Sequence, residues 1–206
     1  SRGLGDVYKR QVWVSTQDGG VCYWNPGTQT FTKIPQSPDR QNVLSLFASD
    51  DLVGAGYFKG GIDLIVPQDQ VQTFYPAQLG ISEGSVFALY RDRGGAIWLG
   101  DGWNIFRSAD KGQTFEKMEQ FGYAYMRDIL EDKSGNIWVA TMGSGIFRYH
   151  PQTDQMVSYK CIPGDSTSIG TNEVTGISED SKGFIWFSTD RGGLLRFNPE
   201  TGRFRT

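Results

Sequence analysis

Apolar positions along this chain recur in short runs of about four to seven residues, cut by Gly, Pro, Asn and Asp. The runs themselves repeat. Trp13, Trp98, Trp138 and Trp186 sit in the related phrases VWVST, IWLGD, IWVAT and IWFST, and LVGAG reads as a degenerate copy with Val53 in the Trp place. Successive spacings are then 40, 45, 40 and 48 residues. A period in the forties with strand-like texture predicts propeller blades, not helical repeats.

Each copy reads as four strands. The first is VLSLFAS, VFALYRD, MRDILED or VTGISED, with apolar residues three apart at Val43/Leu46, Val86/Leu89, Met126/Ile129 and Val174/Ile177. Asp92, Asp132 and Asp180 follow, each with a glycine three residues on (Gly95, Gly135, Gly183). This D-x-x-G is turn chemistry: the carboxylate accepts turn N–H groups and the glycine takes positive φ. The second strand carries the Trp, whose bulk suits packing between adjacent sheets. A third strand (VCYWNP, IDLIVP, IFRSAD, IFRYHP, LLRFNP) closes on Pro or polar turn residues, and a short fourth carries Phe31, Phe115 and Phe204. The reading is all-β: about five four-stranded antiparallel blades over 12–206, in copies near 12–36, 43–76, 86–118, 125–160 and 173–206.

Residues 1–11 (SRGLGDVYKRQ) fit no later repeat and read as a non-native leader. The first copy is then left with three strands, giving 19 in all. Five copies make an incomplete arc of a larger ring, or, as the alternative, a closed five-bladed ring.

Composition narrows the chemistry. A net charge of −3 with no basic stripe gives nucleic-acid binding little support. No stretch approaches the roughly 18 apolar residues of a membrane span. His150 is the sole histidine, which argues against multi-His metal sites and most histidine-based catalysis; no metal or cofactor is expected. Cys22 and Cys161 form no CxxC pair, fall in the first and fourth copies, and are expected to be free.

Two resemblances rest on these residues. Val174–Phe204, with its I-W-x-x-T-x-x-G-G-L-x-R-F-N-P-x-T-G-x-F phrase, resembles the two-component regulator propeller repeat, and the linker Cys161–Val174 (CIPGDSTSIGTNEV) is similar to that family's inter-blade loop. The likeness extends over Val12–Thr206 and is loosest in the second copy. It implies a periplasmic or extracellular sensor propeller of a hybrid histidine kinase, with oligosaccharide as ligand. Its implied partners are the remaining blades and a second propeller of the parent chain, and a homodimer. Kinase motifs are absent from this sequence, so the chain itself is expected not to be an enzyme. The second resemblance is local: Ser108-x-Asp110-x-Gly112-x-Thr114-Phe115 looks like the Asp-box turn of sialidases and of several non-enzymatic propellers. Ser108 and Asp110 would bond the hairpin's own backbone, with Phe115 plugging the blade.

Two other readings stay open. One is a sialidase-like glycosidase or lyase, although Arg107, Arg148 and Arg196 recur as scaffold residues would. The other is a secreted interaction propeller without a kinase. A ligand would meet the loops between second and third strands and those linking blades. There the sequence places Tyr57, Phe58, Lys59, Asp101, Trp103, Asn104, Met142 and Arg191. Trp103 breaks the repeat, and an aromatic platform flanked by amides and charges suits sugar stacking.

Overall fold

A computed structural model describes residues 4–8, 11–16, 18–35, 42–66, 71–81, 84–165 and 168–205. The strands form five antiparallel four-stranded meanders. Blade 1 holds β1 (Leu4–Tyr8), β2 (Gln11–Thr16), β3 (Gly20–Asn25) and β4 (Thr30–Lys33). Blade 2 holds β5 (Val43–Ala48), β6 (Val53–Tyr57), β7 (Ile62–Ile65) and β8 (Val71–Phe74). Blade 3 holds β9 (Ala88–Arg91), β10 (Ile97–Gly100), β11 (Ile105–Ser108) and β12 (Glu116–Lys117). Blade 4 holds β13 (Tyr125–Glu131), β14 (Ile137–Met142), β15 (Ile146–His150) and β16 (Gln155–Tyr159). Blade 5 holds β17 (Val174–Glu179), β18 (Ile185–Thr189), β19 (Gly193–Asn198) and β20 (Arg203–Arg205). Helix among the described residues is confined to single turns at Pro76–Leu79 and Glu119–Phe121. The fold is a β-propeller segment of five blades.

The strand count differs from the sequence reading. Leu4–Tyr8, set aside with the leader, pairs along β2 from Leu4↔Ser15 to Tyr8↔Gln11, so blade 1 has four strands. An edge strand presents a row of unpaired backbone groups, and an extended segment next to it in sequence satisfies them whatever its side chains. Ser1–Gly3 and Lys9–Arg10 of that segment lie outside the described residues.

The three-residue apolar spacing in the first strands also has a cause. Residues three apart point to opposite faces of a regular strand. A register shift lies between Met126 and Asp128, between Val174 and Gly176, and between Val43 and Ser45. One extra residue at a β-bulge returns the following side chain to the original face. Met126 and Ile129 are accordingly both buried.

Blade 2 corrects the alignment of the degenerate copy. In blade 4, Asp132 N–H donates to Asn136 O, closing a turn one residue longer than that of blade 2, where Ser49 N–H donates to Leu52 O. The residue standing where Trp138 stands is therefore Gly54, not Val53. A Cβ on Gly54 would lie 2.2 Å from Phe47 Cε1, and Phe47 is its cross-strand partner. The indole is missing because Phe47 fills its volume from the neighbouring strand.

The chain divides into two compact units, Ser1–Arg91 with Gly95–Asp101 and Phe106–Glu116, and Asp92–Gly94 with Gly102–Ile105 and Lys117–Thr206. In the first, Trp13 and Val21 pack with Val43, Val53, Ala55 and Tyr57, joining blades 1 and 2. Ile62, Leu64 and Phe74 pack with Leu89, Ile97, Leu99 and Phe106, joining blades 2 and 3. In the second, Trp138 and Ile146 pack with Ile185, Phe187, Leu195 and Phe197, joining blades 4 and 5. Each such side chain contributes about 1.5–3 kcal/mol by burial. Trp13, Trp98 and Trp138 are fully buried, while Trp186 is half-buried. Cys22 and Cys161 are both free thiols.

Candidate functional site

The loops between second and third strands are built on one plan. Thr141 Oγ1 donates to Gly145 O at 2.7 Å and Thr189 Oγ1 to Gly193 O at 2.9 Å, pinning the hairpin from inside. Tyr57 and Asp101 occupy the same place in blades 2 and 3, three residues past Gly54 and Trp98. Their side chains are therefore buried, at 0% and 1% exposure, and do not line an open face. Tyr57 Oη donates to Asp63 Oδ2 at 2.8 Å, and Thr73 Oγ1 donates to the other oxygen, Oδ1. In the first unit only Phe58 and Lys59 of the sequence candidates stand exposed. Lys59 Nζ lies 5.4 Å from the centre of the Phe58 ring, and the Lys59 N–H donates to Ser85 Oγ.

The second unit carries the remaining candidates on loops stitched together by hydrogen bonds. Ala124 N–H donates to Trp103 O at 2.9 Å, and Ser144 Oγ donates to Tyr123 O at 3.2 Å. Gly143 and Gly145 N–H both donate to Asn172 O, Met142 forms a bridge with Glu173, and Asp190 N–H donates to Glu173 O. Trp103 is 59% exposed, Met142 and Asn104 are half-buried, and Arg191 is exposed beside Asp190 with 3.9 Å between Nε and Oδ2. The sequence reading missed Tyr123, which is 81% exposed. It sits in the linker between β12 and β13, where an aromatic outside every repeat position was the available signal.

The turn residues act on their own blades. Asp132 Oδ1 accepts from the N–H groups of Ser134 and Asn136, and Oδ2 accepts from the Trp138 indole at 2.7 Å. Asp180 repeats this with Lys182, Phe184 and the Trp186 indole. The Trp186 indole N–H leads the donors that hold the Asp180 carboxyl below its usual range. Gly95, Gly135 and Gly183 close these turns at φ between 84° and 87°. Ser108 and Asp110 also bond inward: Gly112 N–H donates to Ser108 Oγ, and Asp110 accepts from the Thr114 hydroxyl, the Thr114 N–H and the Ser108 hydroxyl. Those donors, Thr114 Oγ1 foremost, hold Asp110 well below the ordinary carboxylate range. Phe115 packs on the core between blades 2 and 3.

Asp128 is different. It sits at the β13 bulge and accepts from Ile129 N–H and from Ile177 N–H of the next blade, both at 2.8 Å, while burial pushes its carboxyl up. A cleft of about 400 Å³ on blade 5 is lined by Arg196, Asn198, Thr201, Arg203 and Arg205. Its Arg196 corresponds to Arg148 of blade 4, which lies over Trp138 and Phe197 and is covered there by blade 5. The cleft is thus the exposed counterpart of a blade-to-blade packing face. Among the described residues, no group of three His, Cys, Asp or Glu side chains is placed to hold a metal ion, and no helix is long and apolar enough to cross a membrane.

With five meandering blades and stitched loops in place, the class of the molecule is a β-propeller. Residues 120–143 and 168–191 match the two component regulator propeller model. No curated protein matches the chain in sequence. Among solved structures it is similar to the extracellular domain of a B. thetaiotaomicron protein described as the hybrid two component system BT4673, with 19% identity and a TM-score of 0.73. The similarity covers 95% of this chain and 26% of that one, so the chain spans about a quarter of that relative's length. It is also similar to virginiamycin B lyase from Staphylococcus aureus, at 18% identity and a TM-score of 0.75, over 98% of this chain and 69% of the lyase. At such identities these likenesses show the propeller fold.

Proposed function

We propose that this propeller is part of the extracytoplasmic sensor of a hybrid two-component histidine kinase that responds to oligosaccharide. The observation that carries this reading is the pair of two component regulator propeller matches, in blades whose repeated Trp138 and Trp186 indoles donate to Asp132 and Asp180 of their own turns. What is left exposed in the second unit includes the rings of Trp103 and Tyr123, at 59% and 81% exposure. Such loops suit binding. The uncovered Trp186–Arg196 face of blade 5 further supports a larger ring, in which another blade covers it as blade 5 covers Trp138 and Arg148.

A lyase is the second reading, favoured by the likeness to virginiamycin B lyase, of which an H270A variant is described as catalytically inactive. The one histidine here, His150, ends β15 and keeps Nδ1 buried, a poor placement for a general base. The test is a cell expressing the full-length parent protein with a transcriptional reporter, challenged with oligosaccharides of differing linkage. Induction by a subset of them, lost when the propeller loops are replaced, is expected. A silent reporter, together with bond cleavage by the purified chain, would overturn the sensor reading.

A further inference from the structure

Trp103 and Tyr123 lie on different loops, yet their backbones meet. The Trp103 carbonyl accepts from the N–H of Ala124, the residue after Tyr123. Tyr123 is in turn tied to blade 4, since its carbonyl accepts from Ser144 Oγ. Two residues upstream, Phe121 is buried and packs on Phe147 and Tyr149 with ring centres 5.4 and 5.9 Å away. The linker is therefore anchored by an apolar plug while its next aromatic is left at 81% exposure. Both rings are held exposed on pinned backbone, and rigid Trp and Tyr side chains bind at low entropic cost.

The neighbourhood defines what fits. Beside Tyr123 stand the Ser144 hydroxyl, on its carbonyl, and the Lys117 ammonium, which pairs with the Glu119 carboxylate at 3.1 Å. A lipid or an apolar peptide would leave this ion pair and hydroxyl without a partner in the ligand. A cationic ligand is disfavoured because Lys117 Nζ already lies 5.9 Å from the Tyr123 ring centre. A ligand with one flat C–H face and a polar rim satisfies both conditions. Resting on the oligosaccharide reading above, we infer that Trp103 and Tyr123 form a stacking subsite for a neutral pyranose. The sugar's C–H face lies on the rings, and its hydroxyls reach Ser144, Lys117 and Glu119.

The purified chain can be titrated calorimetrically with maltotetraose, cellotetraose, mannotetraose and xylotetraose, with the Trp103 indole N–H followed by NMR. At least one tetrasaccharide should bind and shift that signal. Trp103→Ala and Tyr123→Ala should each weaken binding about tenfold, Trp103→Phe should retain most of it, and melting should be unchanged. Two results overturn the subsite: binding that neither alanine variant weakens, or no tetrasaccharide that moves the Trp103 signal. If the reporter still answers to oligosaccharide in either case, the sensor reading stands and only the subsite is lost. The indole signal decides the matter in the wild-type chain even if Trp103→Ala unfolds.

Discussion

Glu179 of blade 5 reaches back to blade 4, accepting from the Lys133 N–H at 3.1 Å and lying 3.8 Å from Lys133 Nζ. Blade 4 makes the same contact to the turn before it: Glu131 accepts from the Arg93 N–H at 2.6 Å and pairs with Arg93 Nε at 3.1 Å. Between blades 2 and 3 the charges are reversed. There Arg91, at the position of Glu131 and Glu179, forks onto Asp51 and Ser49 of the preceding turn. The acid–base order thus distinguishes one blade junction from the next, and a wrongly matched pair of blades sets like charges together.

This reversal makes a clean charge-swap experiment. Exposed ion pairs contribute about 0–1 kcal/mol, but Arg91 is largely buried, at 13% side-chain exposure, and contacts both carboxylate oxygens. Asp51→Arg and Arg91→Asp should each lower stability by about 1–2 kcal/mol in urea unfolding, and the double variant should recover most of the loss. Additive losses in the double variant would refute the pairing.

Asp132 and Trp138 couple turn to core. The buried indole has one donor, and Asp132 takes it while also closing the turn. Asp132→Ala strands that donor and two turn N–H groups, at an expected cost of about 2–4 kcal/mol. Trp138→Phe keeps the apolar contact with Phe187 and Phe197 but removes the donor, and should cost less. Thermal or urea unfolding of both variants checks the order.

The acid limb of stability has a definite sign. Asp110 and Asp180 titrate below their ordinary value because N–H and O–H donors favour the carboxylate. A depressed folded-state pKa stabilises above the unfolded value of about 4, and that gain is lost as pH falls through the folded value. Asp128 runs the other way: its raised pKa makes the native state poorer in relative stability as pH climbs through it from about 4. Melting temperature followed from pH 6 to pH 2 should fall steeply, and Asp180→Asn should flatten the drop while lowering the plateau. An unchanged slope in Asp180→Asn would remove that carboxylate from the account.

The repeat was legible because it is written in side chains with fixed jobs. Trp98, Trp138 and Trp186 mark second strands, and the Asp six residues earlier marks each turn. The bonds from the Trp138 and Trp186 indoles to Asp132 and Asp180 were not legible, since spacing alone does not tell which way a carboxylate leans. Gly54 was misread by one place, because a shorter turn at Ser49 shifts the strand and Phe47 supplies the missing bulk from across the sheet. Tyr57 and Asp101 were read as loop residues although their position turns inward, where blades 4 and 5 keep a small threonine. Trp103 stood out as a break in the repeat. Tyr123 carried only the weaker signal of an aromatic outside every repeat position, because linkers carry no period to break.

Gly112 gives the last prediction and a way to separate strain from packing. It lies in the Ser108–Phe115 turn at φ 92°, and a Cβ there would stand 2.3 Å from Leu64 Cδ1 and 3.4 Å from Ile97 Cδ1. Leu64 and Ile97 are both buried in the core between blades 2 and 3, so neither side chain is free to retreat. Gly143 has nearly the same backbone, φ 97°, with nothing within 4 Å of its would-be Cβ. Gly143→Ala therefore reports the backbone cost alone, about 1 kcal/mol. Gly112→Ala adds overpacking of about 1–3 kcal/mol. The difference between the two in urea unfolding measures how tightly the turn seals the core beneath it. Equal losses would mean that Leu64 yields at no cost and that the turn closes only its own hairpin.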